Sequence, residues 1–410
     1  MKKNLSIFFL CFLFWQVSAQ NIIVCDNCNF TNVSNAISNA NTHDTIIVSK
    51  GLYKEHDIII DKPLTLIGEE AIIDADFKGG CFNVIADSVS ISGFTINNIK
   101  TSYTKDISGI YTFRISNFIF ENNTFNNPFF AILIQKSENG IVRNNVINGN
   151  AKDEISSGNG IHLWHSNNVE IYGNTISQMR DGIYLEFVKN SNTYKNESRN
   201  HVRYGLHFMF SNSNSYQDNI FERNGAGVAV MFSKDIVMTN NIFQYNWGTA
   251  SYGLLLKEIY DAEISNNTFI QNTIGINAEG STRVNYFNNI FKSNGWATKI
   301  TGGCYDNIFY NNDFLNNTFD ISYQGRQNGN MFNGNYWSGY TGYDLDKNGV
   351  GDVPYRHVKL FSYVVNKTPE TIILHRSLFI DIVNFSEKVS PIFTPKELQD
   401  FKPVLKRINK

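Results

Sequence analysis

The residues with the most distinctive chemistry lie in one stretch, Arg203-Tyr-Gly-Leu-His-Phe-Met209, and in its echo, Gly227-Val-Ala-Val-Met231. Aligned on their glycines, these segments put Met209 and Met231 at the same position, with His207 two residues before the first. Thioether and imidazole are uncharged soft ligands, the set a Cu(I) ion prefers. Met more often fills irregular core space. A methionine pair facing outward therefore reads either as a soft-metal site or as an adaptable apolar patch for a partner. Arg180-Asp181 and Arg203-Tyr204 precede equivalent segments and suggest a rival chemistry. In a uronate lyase or epimerase, Arg neutralises the sugar carboxylate and a basic group takes the C5 proton. Against that reading, the sequence shows no tight carboxylate cluster beside a Lys or Arg base, and it would leave the methionines without a role.

A repeat positions these residues. The glycines at 160, 182, 205, 227, 253 and 275 are separated by 22, 23, 22, 26 and 22 residues, and a weak earlier copy stands at Gly109. A second marker, Asn-x-Phe/Ile, keeps the same time at Asn123, Asn145, Asn174, Asn219, Asn241, Asn267, Asn289 and Asn312, with degenerate copies at Asn196 and Asn335. A sustained period in the twenties marks a solenoid. Each repeat holds short apolar/polar alternations such as Gly182-Ile-Tyr-Leu-Glu186, separated by Asn, Ser, Asp and Gly. Alternation reads as strand, and no Leu-rich or helical half is present. Asn suits the tight bends, because it tolerates left-handed backbone and its amides stack in ladders. The expected fold is all-β, a right-handed parallel β-helix with coils of about 22 residues rising about 4.8 Å each, a short N-terminal cap and a C-terminal helical tail.

Rung alignment turns this repeat into a surface. Ile161, Ile183, Leu206, Val228, Leu254 and Ile276 form one apolar column, and Leu163, Leu185, Phe208, Val230, Leu256 and Ala278 form another. Both must face the core, so the columns between them face outward. One outward column is His162, Tyr184, His207, Ala229 and Leu255; the other is Trp164, Glu186, Met209, Met231, Lys257 and Glu279. The candidate copper ligands are thus His207, Met209 and Met231. His162, Trp164, Arg180, Glu186, Arg203 and Lys257 form a candidate partner surface.

The flanks carry other signals. Residues 1–19, with Lys2-Lys3, an apolar run from Leu5 to Trp15 and Val17-Ser18-Ala19, read as a signal peptide, which predicts export. Residues 20–77 supply the cap and first coils, with helical spacing at Val33, Ala36, Ile37 and Ala40. Residues 78–355 form the β-helix and its closing loop, and 356–410 the tail. Cys25-Asp-Asn-Cys28 reads as a small disulfide or a metal half-site, and Cys81 and Cys304 as buried small hydrophobes. Asp344, Asp346, Asn348 and Asp352 match the front of a Ca²⁺ loop, but Tyr355 stands where the bidentate Glu belongs; the choice is calcium or a plain turn. In the tail, Thr368-Pro369-Glu370 and Thr394-Pro-Lys-Glu397 are helix starts. The tail either covers the end of the solenoid or docks to a partner. A net charge of -2 gives no electrostatic case for nucleic acid.

Gly160-Ile-His-Leu-Trp164, Arg180-Asp-Gly-Ile-Tyr184, the Arg203–Met209 stretch, Ala229-Val-Met231-Phe-Ser and Tyr252-Gly-Leu-Leu-Leu-Lys257 together resemble the NosD family, periplasmic maturation factors of nitrous oxide reductase. Asn335-Tyr-Trp-Ser-Gly-Tyr-Thr-Gly-Tyr-Asp-Leu-Asp346 and Phe393-Thr-Pro395 are similar too. The resemblance implies a β-helix that is not itself an enzyme. It would work with an ABC transporter and a copper chaperone to assemble the copper–sulfur centre of the reductase, meeting the membrane only through the transporter. It assigns no role to Cys25 and Cys28, and the copper ligands named above rest on the rung alignment alone.

Overall fold

The computed structural model describes residues 20–323, 329–358, 360–375, 377–389 and 398–409. The signal peptide and the Thr394–Glu397 helix start lie outside the described residues. The chain winds as a parallel β-helix whose coils stack into three sheets of 14, 12 and 13 strands. Register runs without slippage along the 12-stranded sheet, Leu206 pairing with Ile183 on one side and Val228 on the other. Both apolar columns are buried as the alternation requires.

Closure of each coil depends on Asn, and the two properties expected of it are divided between neighbours. In Asn122-Asn123, Asn144-Asn145, Asn240-Asn241 and Asn266-Asn267, the first residue takes the left-handed backbone, with φ of 54–59°. The second turns inward and is fully buried. Its amide builds the ladder: Asn219 Nδ2 donates to Asn241 Oδ1 at 3.0 Å and to the Thr193 carbonyl at 2.9 Å. Asn241 Oδ1 also accepts the Asn219 backbone N–H at 3.0 Å. The ladder runs on through Asn312 to Asn335. Beside it, Phe221, Phe243, Phe269, Phe291, Phe314 and Trp337 stack inside the core with centroids 4.1–5.4 Å apart.

Both ends are covered. At the start, helix α1 (Val33–Asn39) is capped by the Asn32 side chain and buries Val33, Ala36 and Ile37 over the first coil. At the far end, the segment from Leu398 onward pairs with the last strands through Asp400 and Val404. Asp400 is fully buried and terminates the Asn ladder. Its carboxylate accepts from the Gly334 and Asn335 backbone N–H groups, Asn335 Nδ2 and Trp337 Nε1, all at 2.9–3.0 Å.

The tail departs from expectation. Helix α2 spans Leu360–Lys367, ahead of the anticipated start. Thr368 and Pro369 end α2 and open only a 3-10 turn, Pro369–Leu374, with no capping bond from the Thr368 side chain. Helix α3 follows at Leu378–Val389. Proline stops the helix before it as readily as it starts the next. Phe361, Val365 and Ile380 pack on Ile274, Trp296 and Phe319, outward residues of the last rungs of the 12-stranded sheet. The tail divides: the helices lie along the side of the solenoid, and residues after Leu398 close its end.

Asp400→Ala strands three buried donors and the half-buried Gly334 N–H and should destabilise the protein by about 3 kcal/mol or more. Phe208→Ala, which empties a fully buried core position, should cost about 3–5 kcal/mol. Denaturant unfolding checks both; a wild-type midpoint for Phe208→Ala would show that the core face is misassigned by one residue.

Candidate functional site

The outward face of the 12-stranded sheet carries the predicted columns in register. His162, Tyr184, His207, Ala229 and Leu255 follow one another, as do Trp164, Glu186, Met209, Met231 and Lys257. Met209 and Met231 are direct cross-strand partners, both partly exposed. Tyr184 Oη donates to Met209 Sδ at 3.6 Å.

His207 differs from expectation: its side chain points outward but only 5% of the residue is exposed. Large neighbours cover it. The rings of His162, Tyr184 and His207 stack with centroid separations of 4.7 and 4.5 Å, and Tyr204 leans on His207 at 4.9 Å. Arg203 closes over the same ring. Its guanidinium grips Asp181 through Nε–Oδ1 at 2.9 Å and Nη2–Oδ2 at 2.5 Å, and approaches His207 Nδ1 at 3.4 Å. Arg180 Nε lies 3.8 Å from Asp181, as does His207 Nδ1. Asp181 was not singled out from sequence as a site residue, yet it anchors this cluster and is fully buried. Burial pushes its carboxyl up, but hydrogen bonds from His207 and Arg203 and the charge of Arg203 outweigh burial and hold it at about 2. Burial, and next to it Arg180, lower His162 to about 4, so its imidazole is neutral. The Nε2 atoms of His162 and His207 are buried without a hydrogen-bond partner among the described residues.

The remaining predicted residues divide. Trp164 and Glu186 line the methionine column, and Lys257 continues it. The Asp344–Asp352 loop does not gather ligands. Asp344 accepts the Asn348 and Gly349 N–H groups, Asp352 accepts Leu345 N–H, and Asp346 accepts from the Asn348 side chain. Among the described residues, no group of three His, Cys, Asp or Glu side chains is placed to hold an ion. In this structure the loop is a turn closed by its own carboxylates, which bind backbone N–H groups within it. Cys25 and Cys28 form a disulfide, and Cys81 and Cys304 are free and buried.

One feature escaped sequence reasoning altogether. The residues just after the outer column, His165, Phe187, Phe210 and Phe232, stack along the edge of the sheet with centroids 4.5, 5.2 and 5.1 Å apart. The signal was present as an aromatic recurring every 22–23 residues one place beyond Trp164, Glu186, Met209 and Met231.

The buried imidazoles set a pH dependence. Burial lowers His162 and His201 to about 4 and His357 to about 3. Between these values and about 6.5, the unfolded chain binds more protons than the folded one, so stability rises with pH there. Going down in pH, stability falls from about 6.5 to 4, and the protonation of Asp181 adds a second loss below about 4. His357 stacks on Phe332 and Trp337 and neither ring nitrogen has a partner among the described residues. His357→Phe should therefore flatten the stability curve between pH 4 and 6.5, as followed by melting temperature; an unchanged slope would place the proton uptake elsewhere.

The likeness to known proteins divides between fold and family. No curated protein matches the chain. Solved structures share the fold at low identity. The A-module of Azotobacter vinelandii mannuronan C-5 epimerase AlgE6 is 13% identical over 74% of this chain and 90% of its own, with a TM-score of 0.53. The Yersinia enterocolitica family 28 exopolygalacturonase is 11% identical over 78% of each chain, at 0.54. The DFA-IIIase of Arthrobacter chlorophenolicus A6 is 14% identical over 70% of this chain and 93% of its own, also at 0.54. The family model described as "Periplasmic copper-binding protein (NosD)" matches residues 151–342, the stretch that carries the Asp181–His207 cluster and the methionine pair. Over those residues the chain is similar to the NosD family.

Proposed function

We propose that this chain is an exported, non-catalytic accessory protein that carries Cu(I) in passing during assembly of the copper–sulfur centre of nitrous oxide reductase. Met209 and Met231 side by side on an outward face carry the reading, because no demand of the fold puts thioethers there. The Asp181 carboxylate, 3.8 Å from His207 Nδ1, is the acceptor that keeps the ring proton on that nitrogen and leaves Nε2 without a partner among the described residues. Outer groups that fix a ring in this way raise its quality as a ligand. Two thioethers and one neutral imidazole suit a singly charged soft ion and leave a coordination position for a donor or acceptor. The copper is cargo. A copper chaperone supplies it, and the reductase receives it.

The tail supports a link to an ABC transporter. Helix α3 packs by Ile380, while Leu378, Phe379, Ile382 and Phe385 are 56–75% exposed. A helix apolar on both sides is built to be covered on both.

The fold alone favours the rival, a uronate lyase or epimerase, since structural neighbours act on such sugars. Here, however, Asp181 is fully buried, His207 nearly so, and Arg203 is committed to Asp181. Asp181 and His207 are closed to a sugar ring, so incubation with alginate or pectin should yield neither unsaturated ends nor altered uronate ratios.

Met209→Leu/Met231→Leu keeps volume and removes sulfur. The double variant should fold as wild type, lose Cu(I) binding at this face and fail to yield copper-replete reductase. Normal maturation of the reductase by this variant would remove the copper assignment.

A further inference from the structure

We propose that the Tyr184 hydroxyl restrains the methionine pair: by donating to Met209 Sδ it weakens that thioether as a ligand and as a nucleophile, and so keeps the hold on an ion loose. The inference rests on the copper reading for the identity of the ion, and on the geometry around Met209 for the restraint.

The two sulfurs are alike in position and unlike in surroundings. They stand side by side in the outer column on paired strands. Register gives each a ring diagonally across from it on the preceding strand, Tyr184 for Met209 and His207 for Met231. Tyr184 Oη donates to Met209 Sδ at 3.6 Å. His207 Nε2 has no partner among the described residues. One sulfur therefore has an O–H donor for its diagonal neighbour, and the other has an imidazole.

The hydroxyl is aimed by its ring and not free to turn away. Tyr184 is stacked between His162 and His207 at 4.7 and 4.5 Å and is only 9% exposed. Burial, and next to it the charge of Glu186, push its phenol well up, so the proton stays on the oxygen. A thioether is a weak acceptor, and the bond adds little to the fold. Its effect falls on the sulfur. A lone pair engaged by an O–H is less available to a soft ion or an oxidant, and an arriving ion must displace the proton or sit beside it.

Charge along the column shows why a restraint is useful there. Glu186 is the cross-strand neighbour of Met209, and Lys257 that of Met231. The carboxylate draws a cation to the Met209 end, and the ammonium repels it from the other. The hydroxyl offsets that pull at the sulfur where an ion would otherwise settle.

The test is Tyr184→Phe in the full chain, which keeps the ring and its stacking and removes only the oxygen. The first measurement needs no copper. Dilute hydrogen peroxide converts a thioether to its sulfoxide and is itself reduced to water; initial rates are read peptide by peptide by mass spectrometry. Met331, 54% exposed on the 14-stranded sheet, is the internal reference. Relative to Met331, Met209 should oxidise about threefold faster or more in the variant than in wild type, with Met231 unchanged. An unchanged Met209 ratio overturns the restraint. The second measurement is competition for Cu(I) against a chromophoric chelator, in which the variant should hold the ion about three- to tenfold more tightly. Equal affinity overturns the inference, and so does weaker affinity, which would make the hydroxyl an aid to the sulfur. Failure of the wild type to take Cu(I) overturns the copper reading, and the peroxide ratio alone then decides the restraint. Should the variant melt below wild type, the wild type decides: Met231 oxidising faster than Met209 supports the inference, and the reverse order overturns it.

Discussion

The fold depends on a buried hydrogen-bond chain of asparagine side chains. Every coil must turn sharply between two strands, and each turn leaves backbone N–H and C=O groups pointing into an apolar interior, where an unpaired group costs more than a hydrogen bond returns. From Asn123 onward one Asn per coil satisfies them at this corner, and from Asn224 a second ladder does so at another. Each amide's carbonyl oxygen takes two donors from the rung before, and its NH₂ serves a backbone carbonyl and the next amide. Such a chain has a direction and must end on a group with acceptors and no donors. Asp400 is that group, brought back from more than sixty residues beyond Asn335. This explains why a segment so late in the chain returns to the last coil after the tail helices have passed along its side.

That regularity is what makes the site possible. With register held from rung to rung, a side chain's neighbours are fixed by its place in the repeat, and columns of like chemistry arise without long-range loops. His162, Tyr184 and His207 stack because they are consecutive members of one column, and Met209 meets Met231 for the same reason. The departures from the repeat then stand out as the places where selection acted on something besides folding: a carboxylate at Asp181 where neighbouring rungs carry Tyr204 and Ala226, two sulfurs on the outside, and four rings at a solvent corner.

Most of this architecture was legible in the sequence, because period and alternation are local signals that tertiary context reinforces. Both core columns and both outward columns are where the glycine alignment puts them. What alignment does not convey is depth. An outward residue is open or covered according to the size of its neighbours in adjacent columns, and His207 is covered because Tyr204 and Arg203 fold across it. Asp181 was visible as part of Arg180-Asp181, but its partner Arg203 sits a full coil away, and only stacking makes the pair. The tail was the least legible part. Its helices lack the repeat, and the proline at 369 carries two opposite meanings until the packing of Phe361 and Val365 on Trp296 and Phe319 decides between them.

The cluster around Asp181 has the residue types of an acid–base site and the burial of a structural one, and that combination is informative. An enzyme that abstracts a proton from a large substrate must expose its base or open a lid over it. Here the carboxylate is held ionised near a pKa of 2 by two partners, and the guanidinium that would meet a sugar carboxylate is already neutralised. The same arrangement is well suited to holding an imidazole still. An ion in transit needs ligands whose geometry does not relax when it leaves, since reorganisation at each transfer would slow the exchange. On the copper reading, the Asp181–Arg203 clamp beside His207 would supply that stillness. The thioethers of Met209 and Met231, with three rotatable bonds each, would supply the motion needed to follow the ion to its next ligand.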